Sequence, residues 1–134
     1  MRKVILDTNV YSNLLKGNKV VYQTLSKSEI VYMSIFVLGE LYAGFRGGIN
    51  EILNKELLDR FLAKPTVQIL DATLETAEVF GQLKYDLKVE GNPIPINDVW
   101  IASQSIETGS VIITYDTHFL NIKGLRLWDH MPVS

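Results

Sequence analysis

Apolar residues fall along this chain in short runs separated by amphipathic stretches. Val4–Leu6, Ile30–Met33, Val67–Leu70 and Val111–Thr114 are short, mainly apolar runs that read as strands. Val4–Leu6, apolar throughout, predicts a strand buried on both faces. Leu125–Trp128 reads as a last short strand. Between them the spacing turns helical. Val10–Leu15 predicts a helical turn ended by Gly17-Asn18, and Lys19–Ser26 a second helix. Ser34 is placed to cap a helix running to about Phe45, stopped by Gly47-Gly48. Asn50 is placed to cap the next helix, which ends before Pro65. Thr73 to about Val89 carries Ala77, Phe80, Leu83, Lys84 and Leu87 at helical spacing and ends at Gly91. Pro93 and Pro95 force an extended loop. Asn97 is placed to cap a helix from Asp98 to Thr108, closed by Gly109. Short strands alternating with helices predict an α/β fold with a central parallel sheet flanked by helices on both faces.

Four acids interrupt this apolar pattern. Asp7 ends the first run, Glu40 sits in SIFVLGELYAG, Asp98 in PIPINDVWIAS and Asp116 in VIITYDTHF. A buried carboxylate is costly unless paired or bound to a cation. Each acid also has a simpler reading. Asp7 and Asp116 could cap a helix or a turn. Glu40 and Asp98 could offset a helix dipole. Glu40 has Phe36, Val37, Ala43 and Gly44 as helical neighbours, so no intrahelical ion pair explains it. In parallel sheets, ligands bind beyond the carboxyl ends of the strands. Asp7 and Asp116 both follow strands and share that edge; the edge of Asp98 is not fixed by this rule. Four convergent carboxylates would hardly stay ionised together without a cation. An all-oxygen site suits Mg²⁺ or Mn²⁺, and a phosphodiester is the substrate that best complements such an ion.

Composition narrows the chemistry. The chain has 134 residues, 47% hydrophobic and 21% charged, which fits one domain spanning 1–134 with a real core. It has no cysteine, which removes thiolate sites and disulfides, and only two histidines, His118 and His130, too few for a His-rich zinc site. A formal net charge of -2 means that any nucleic-acid contact must use a local basic patch. Lys16, Lys19, Arg46, Lys84 and Lys88 are the candidates for one; singly, each reads as a solvated charge. The segment MRKVILDTN is not a secretory core, and Val31 to Leu38 is too short to span a bilayer. A cytoplasmic location is expected, with no membrane partner. His118 reads as a packing residue in a short turn rather than a general base, and Trp100 as a helix aromatic packed on the sheet rather than a base-stacking platform.

Taken together, these residues resemble the PIN-domain ribonucleases, and most closely the VapC-type toxins of toxin–antitoxin pairs. LDTN (Leu6–Asn9), the S-x-x-x-x-x-E-L segment from Ser34 to Leu41, GNPIPINDVWIAS (Gly91 to Ser103) and TYDTHF (Thr114 to Phe119) match the family's motifs in order. The third is similar to the segment of the VapC subset that includes tRNA-cleaving members. The resemblance implies a PIN-like fold and a Mg²⁺- or Mn²⁺-dependent endoribonuclease acting on RNA, tRNA among its substrates. It also implies a cognate VapB-type antitoxin and a homodimer. Asp7, Glu40 and Asp98 would hold the metal directly or through water, and Asp116 would complete a second position. Asn9 and Thr114 would orient carboxylates or waters, with turn and strand-end capping as the equal alternative. A HAD-type phosphatase needs a second Asp where Asn9 stands, and a receiver domain needs a Lys that Thr114–Phe119 does not offer. A non-catalytic PIN module binding RNA or protein is the remaining rival.

Overall fold

A computed structural model describes residues 3–132. Four strands, β1 (Lys3–Leu6), β2 (Ile30–Ser34), β3 (Val67–Leu70) and β4 (Val111–Ile113), form one parallel sheet in the order β3-β2-β1-β4. Among the described residues six helices flank it: α1 (Thr8–Leu15), α2 (Lys19–Ser26), α3 (Ile35–Phe45), α4 (Glu51–Leu62), α5 (Leu74–Glu90) and α6 (Ile96–Thr108). A 3-10 helix covers Thr117–Asn121. In β1, Val4, Ile5 and Leu6 are all fully buried. Successive side chains of a strand point to opposite faces, so both faces of the sheet are covered at β1, whereas Gln68 and Ile69 of edge strand β3 are exposed. The expected α/β architecture is therefore present.

Central β1 lies between β2 and β4, with Val4 opposite both Val31 and Val111. This placement matters for function. The chain leaves β1 at Asp7 and β4 at Thr114, so the two segments emerge side by side. The Asp7 amide donates to the Ile113 carbonyl at 3.1 Å, extending the ladder by one bond.

Three local expectations are corrected. Asn97 does not cap α6. That helix starts at Ile96, and Pro95 is its N-cap, at φ -54°. The Pro95 carbonyl accepts from the amides of Asp98 and Val99, at 3.0 and 3.2 Å. Proline's fixed φ favours this entry, and Asn97 falls inside the first turn. Asn50 holds the N-cap position of α4, but its side chain makes no capping bond; Glu51 instead accepts from the Gly47 amide at 2.8 Å. Leu125–Trp128 forms no full strand. It contributes a single parallel bridge, Ile112 to Leu127, because β4 is only three residues long. Elsewhere the helix ends are as expected. Gly91 and Gly109 close α5 and α6 with φ of 71° and 69°, a conformation that costs glycine little.

Candidate active site

Asp7 follows β1 and is the N-cap of α1. The predicted capping role is present, and the side chain makes a second contact as well. One oxygen, Oδ1, accepts from the Thr8 amide at 2.8 Å; the other, Oδ2, accepts from the Thr114 hydroxyl at 2.8 Å. Each carboxylate oxygen has two lone pairs, so a bond to a cation remains open at both. Asp7 is 5% exposed. Burial raises its carboxyl above the usual range; the two hydrogen bonds oppose this, and Asp116 and Glu40 add repulsion.

Glu40 lies on the exposed side of α3 and is held by a residue that sequence reasoning missed. The Thr8 hydroxyl donates to Glu40 Oε1 at 2.9 Å. Nothing local could reveal that contact, because it joins the first turn of α1 to a helix 32 residues away. Asp98 sits in the first turn of α6 and is buried. Its carboxyl is pushed up to about 6, first by burial and then by the charges of Asp7 and Asp116. A helix N-terminus favours an anion by about 0.3–1 kcal/mol. The upward shift from 3.8 is worth on the order of 2–3 kcal/mol, so burial and repulsion win. Asp116 caps the 3-10 helix by accepting from the His118 amide at 2.9 Å.

His118 requires a correction. It is not a packing residue. Its side chain is 49% exposed, and Nδ1 lies 3.1 Å from Asp98 Oδ2 and 3.0 Å from Asp116 Oδ1. These contacts raise its pKa, the bond to Asp98 contributing most. The signal in the sequence was its place two residues after Asp116, which puts the ring back over the acid that caps its own turn. Trp100 also differs from expectation. It stacks between Phe36 of α3, at 4.7 Å, and Phe80 of α5, at 3.7 Å, joining three helices rather than lying on the sheet.

The four acids thus lie on one chain of hydrogen bonds. It runs from Glu40 through Thr8 to Asp7, through Thr114 to the Asp116 amide at 2.9 Å, and from Asp116 through His118 to Asp98. Thr114 is the hinge of this chain, accepting from one acid's backbone while donating to another's carboxylate. Asn9 is exposed and makes no side-chain hydrogen bond among the described residues. The candidate basic residues Lys16, Lys19, Arg46, Lys84 and Lys88 are all exposed.

The donor set fits a hard divalent cation. One atom from each of Asp98, Asp116 and His118 falls within a 4.8 Å cluster. Two carboxylate oxygens and one imidazole nitrogen suit Mn²⁺, and the oxygens suit Mg²⁺. Asp7 repels Asp98 and Asp116, and Glu40 repels Asp7. Carboxylates at about 4–5 Å repel by roughly 3–4 kcal/mol at an effective dielectric near 20. A bound cation would remove that penalty.

Comparison with known proteins agrees with this geometry. The PIN domain model matches residues 4–125. Ribonuclease VapC2 of Rickettsia felis is 29% identical over 132 residues, covering 93% of this chain and 97% of that protein. The tRNA(fMet)-specific endonuclease VapC of Shigella flexneri is 25% identical over 133 residues, covering 96% and 98%. Among solved structures, VapBC2 from Rickettsia felis, bound to a DNA fragment from its promoter, superposes with a TM-score of 0.83 at 27% identity, covering 94% of this chain and 97% of that one. With the sheet order, the strand-end acids and a family match across most of its length, this chain belongs to the PIN domain family.

Proposed function

We propose that this chain is a VapC-type endoribonuclease toxin. It hydrolyses RNA phosphodiester bonds with Mg²⁺ or Mn²⁺ and is neutralised by a VapB-type antitoxin. The observation that carries this reading is the linked set of Asp7, Glu40, Asp98 and Asp116, in which two carboxyls are raised by burial and mutual repulsion. A purely structural set of caps would not gather acids against their own charge. The likeness to ribonucleases named VapC and to VapBC complexes points the same way.

Asp7, Glu40, Asp98 and Asp116 would hold the ion, directly or through water; atoms of Asp98 and Asp116 fall within one 4.8 Å cluster. Bound there, the ion would acidify coordinated water and offset charge on the phosphate. The chain's own residues supply the order. Thr114 fixes Asp7 in rotation, and Thr8 ties Glu40 to the first turn of α1. His118 separates Asp98 from Asp116 and lowers their repulsion. The half-exposed imidazole can also hold a proton close to an arriving phosphate. Hydrolysis by water leaves a 5′-phosphate and a 3′-hydroxyl.

Expression of the chain alone in a bacterial host, followed by sequencing of RNA 5′ ends, tests the proposal. The expected result is growth arrest with discrete cleavage sites, suppressed by co-expression of a cognate VapB-type antitoxin. Because one relative is a tRNA(fMet)-specific endonuclease, tRNA is the first substrate to assay. Unchanged RNA ends and normal growth would overturn the reading.

A further inference from the structure

A groove of about 470 Å³ runs between the C-terminal half of α5 and the loop that leads into α6. Lys84, Tyr85 and Lys88 line one side; Pro93, Ile94 and Val99 line the other. Ile94 and Val99 are buried and close it with apolar surface. Tyr85 is 63% exposed and pairs with no other aromatic ring among the described residues. Lys84 and Lys88 are four residues apart, so they stand on one face of α5. Neither forms an ion pair among the described residues. The nearby acids are engaged elsewhere: Asp86 accepts from Gln82 at 2.9 Å, and Glu90 faces Lys123 at 3.9 Å.

The groove is coupled to the acidic site through the backbone. Pro95, next to Ile94, accepts the hydrogen bonds that open α6, from the amides of Asp98 and Val99. The groove therefore abuts the same helical turn that carries Asp98. Leu83 and Leu87 of α5 are buried, Leu87 beside the groove itself, which fixes the helix and the direction of its lysines.

We infer that this groove is an RNA subsite holding a nucleotide flanking the scissile phosphate, its base against Tyr85 and the apolar floor and its phosphates on Lys84 and Lys88. The chemistry argues for it. A chain of net charge -2 with clustered acids repels a polyanion, so it needs free cations beside the site. An exposed ring next to paired lysines is the combination that binds single strands without reading sequence. This inference rests on the ribonuclease reading and names where that substrate lies.

The test uses the full chain and a fluorescein-labelled single-stranded oligoribonucleotide of mixed sequence, in EDTA to prevent cleavage. Anisotropy is measured across a salt series. Replacing both lysines (Lys84→Gln with Lys88→Gln) should weaken binding and reduce the salt slope by about one to two. Tyr85→Ala should weaken binding about five- to a hundredfold with the slope unchanged, while Tyr85→Phe restores affinity. With Mn²⁺ present, these changes should raise KM rather than lower kcat. Unchanged affinity and KM in the lysine pair and in Tyr85→Ala would overturn the subsite. So would a Tyr85→Phe variant as impaired as Tyr85→Ala. The two proposals fail separately. Active cleavage with KM insensitive to these residues sinks the groove alone. Absent cleavage with the expected binding losses sinks the ribonuclease reading and leaves the groove standing.

Discussion

Replacing Asp98 with Asn should stabilise the metal-free protein at neutral pH while abolishing RNA cleavage. The folded-state pKa of Asp98 is about 6 against an ordinary 3.8. Between those values the folded protein holds more protons than the unfolded chain. Stability therefore falls as pH rises through this window, and the loss is complete above about 6. The penalty at pH 7 is on the order of 2–3 kcal/mol. Asn removes it. One loss opposes the gain, the dipole contribution of a first-turn acid, about 0.3–1 kcal/mol; the bond to His118 is already contained in the shift. The net expectation is a gain of roughly 1–3 kcal/mol at pH 7. At pH 4 the gain should vanish or reverse, because wild-type Asp98 is then largely neutral. His118 adds in the same sense. Its raised pKa gives the wild type stability that is present at low pH and lost as pH rises through the folded value. Urea unfolding in EDTA from pH 4 to pH 8 measures the difference, with the slope checked for constancy. Adding Mn²⁺ should stabilise the wild type and leave the variant nearly unmoved. A variant less stable than wild type at pH 7, with an unchanged pH profile, would refute the reasoning. Asp98 would then be a plain helix-start acid and not a strained member of a charged cluster.

Three further outcomes are expected. Thr114→Val removes the hydroxyl that holds Asp7 and the Asp116 amide; it should cost about 1–3 kcal/mol by urea unfolding and slow cleavage at least tenfold. EDTA should abolish cleavage, and titrated Mn²⁺ should restore it together with a rise in thermal midpoint; activity that survives exhaustive chelation would remove the metal model. Trp100→Ala dissolves the stack with Phe36 and Phe80; a loss of roughly 2–4 kcal/mol is expected, less than for a fully buried ring, and a variant of wild-type stability would show that the stack holds nothing together.

Much of this protein follows from local pattern. Runs such as Val4–Leu6 lack polar alternation, so they must be covered on both sides, and a parallel sheet between helices is the architecture that covers them. Glycines at 91 and 109 end helices because few other residues tolerate a positive φ. Asp7 and Asp116 are assigned to one edge by the simple fact of following strands. Those are properties of neighbours along the chain.

The rest depended on which distant segments meet. The order β3-β2-β1-β4 makes β1 and β4 neighbours, and only then can Thr114 reach Asp7 across 107 positions. The docking of α3 against α1 gives Glu40 its partner in Thr8. The entry of α6 decides that Asp98 faces His118, which a strand-end rule could not place. Periodicity reports the face of an element that is buried, but not what lies across from it. Side-chain partners are set by rigid packing of whole elements, where one turn of a helix changes every contact. For that reason the acids were legible as a set, with Thr114 as a candidate beside them, while the parts played by Thr8 and His118 emerged only from the assembled fold.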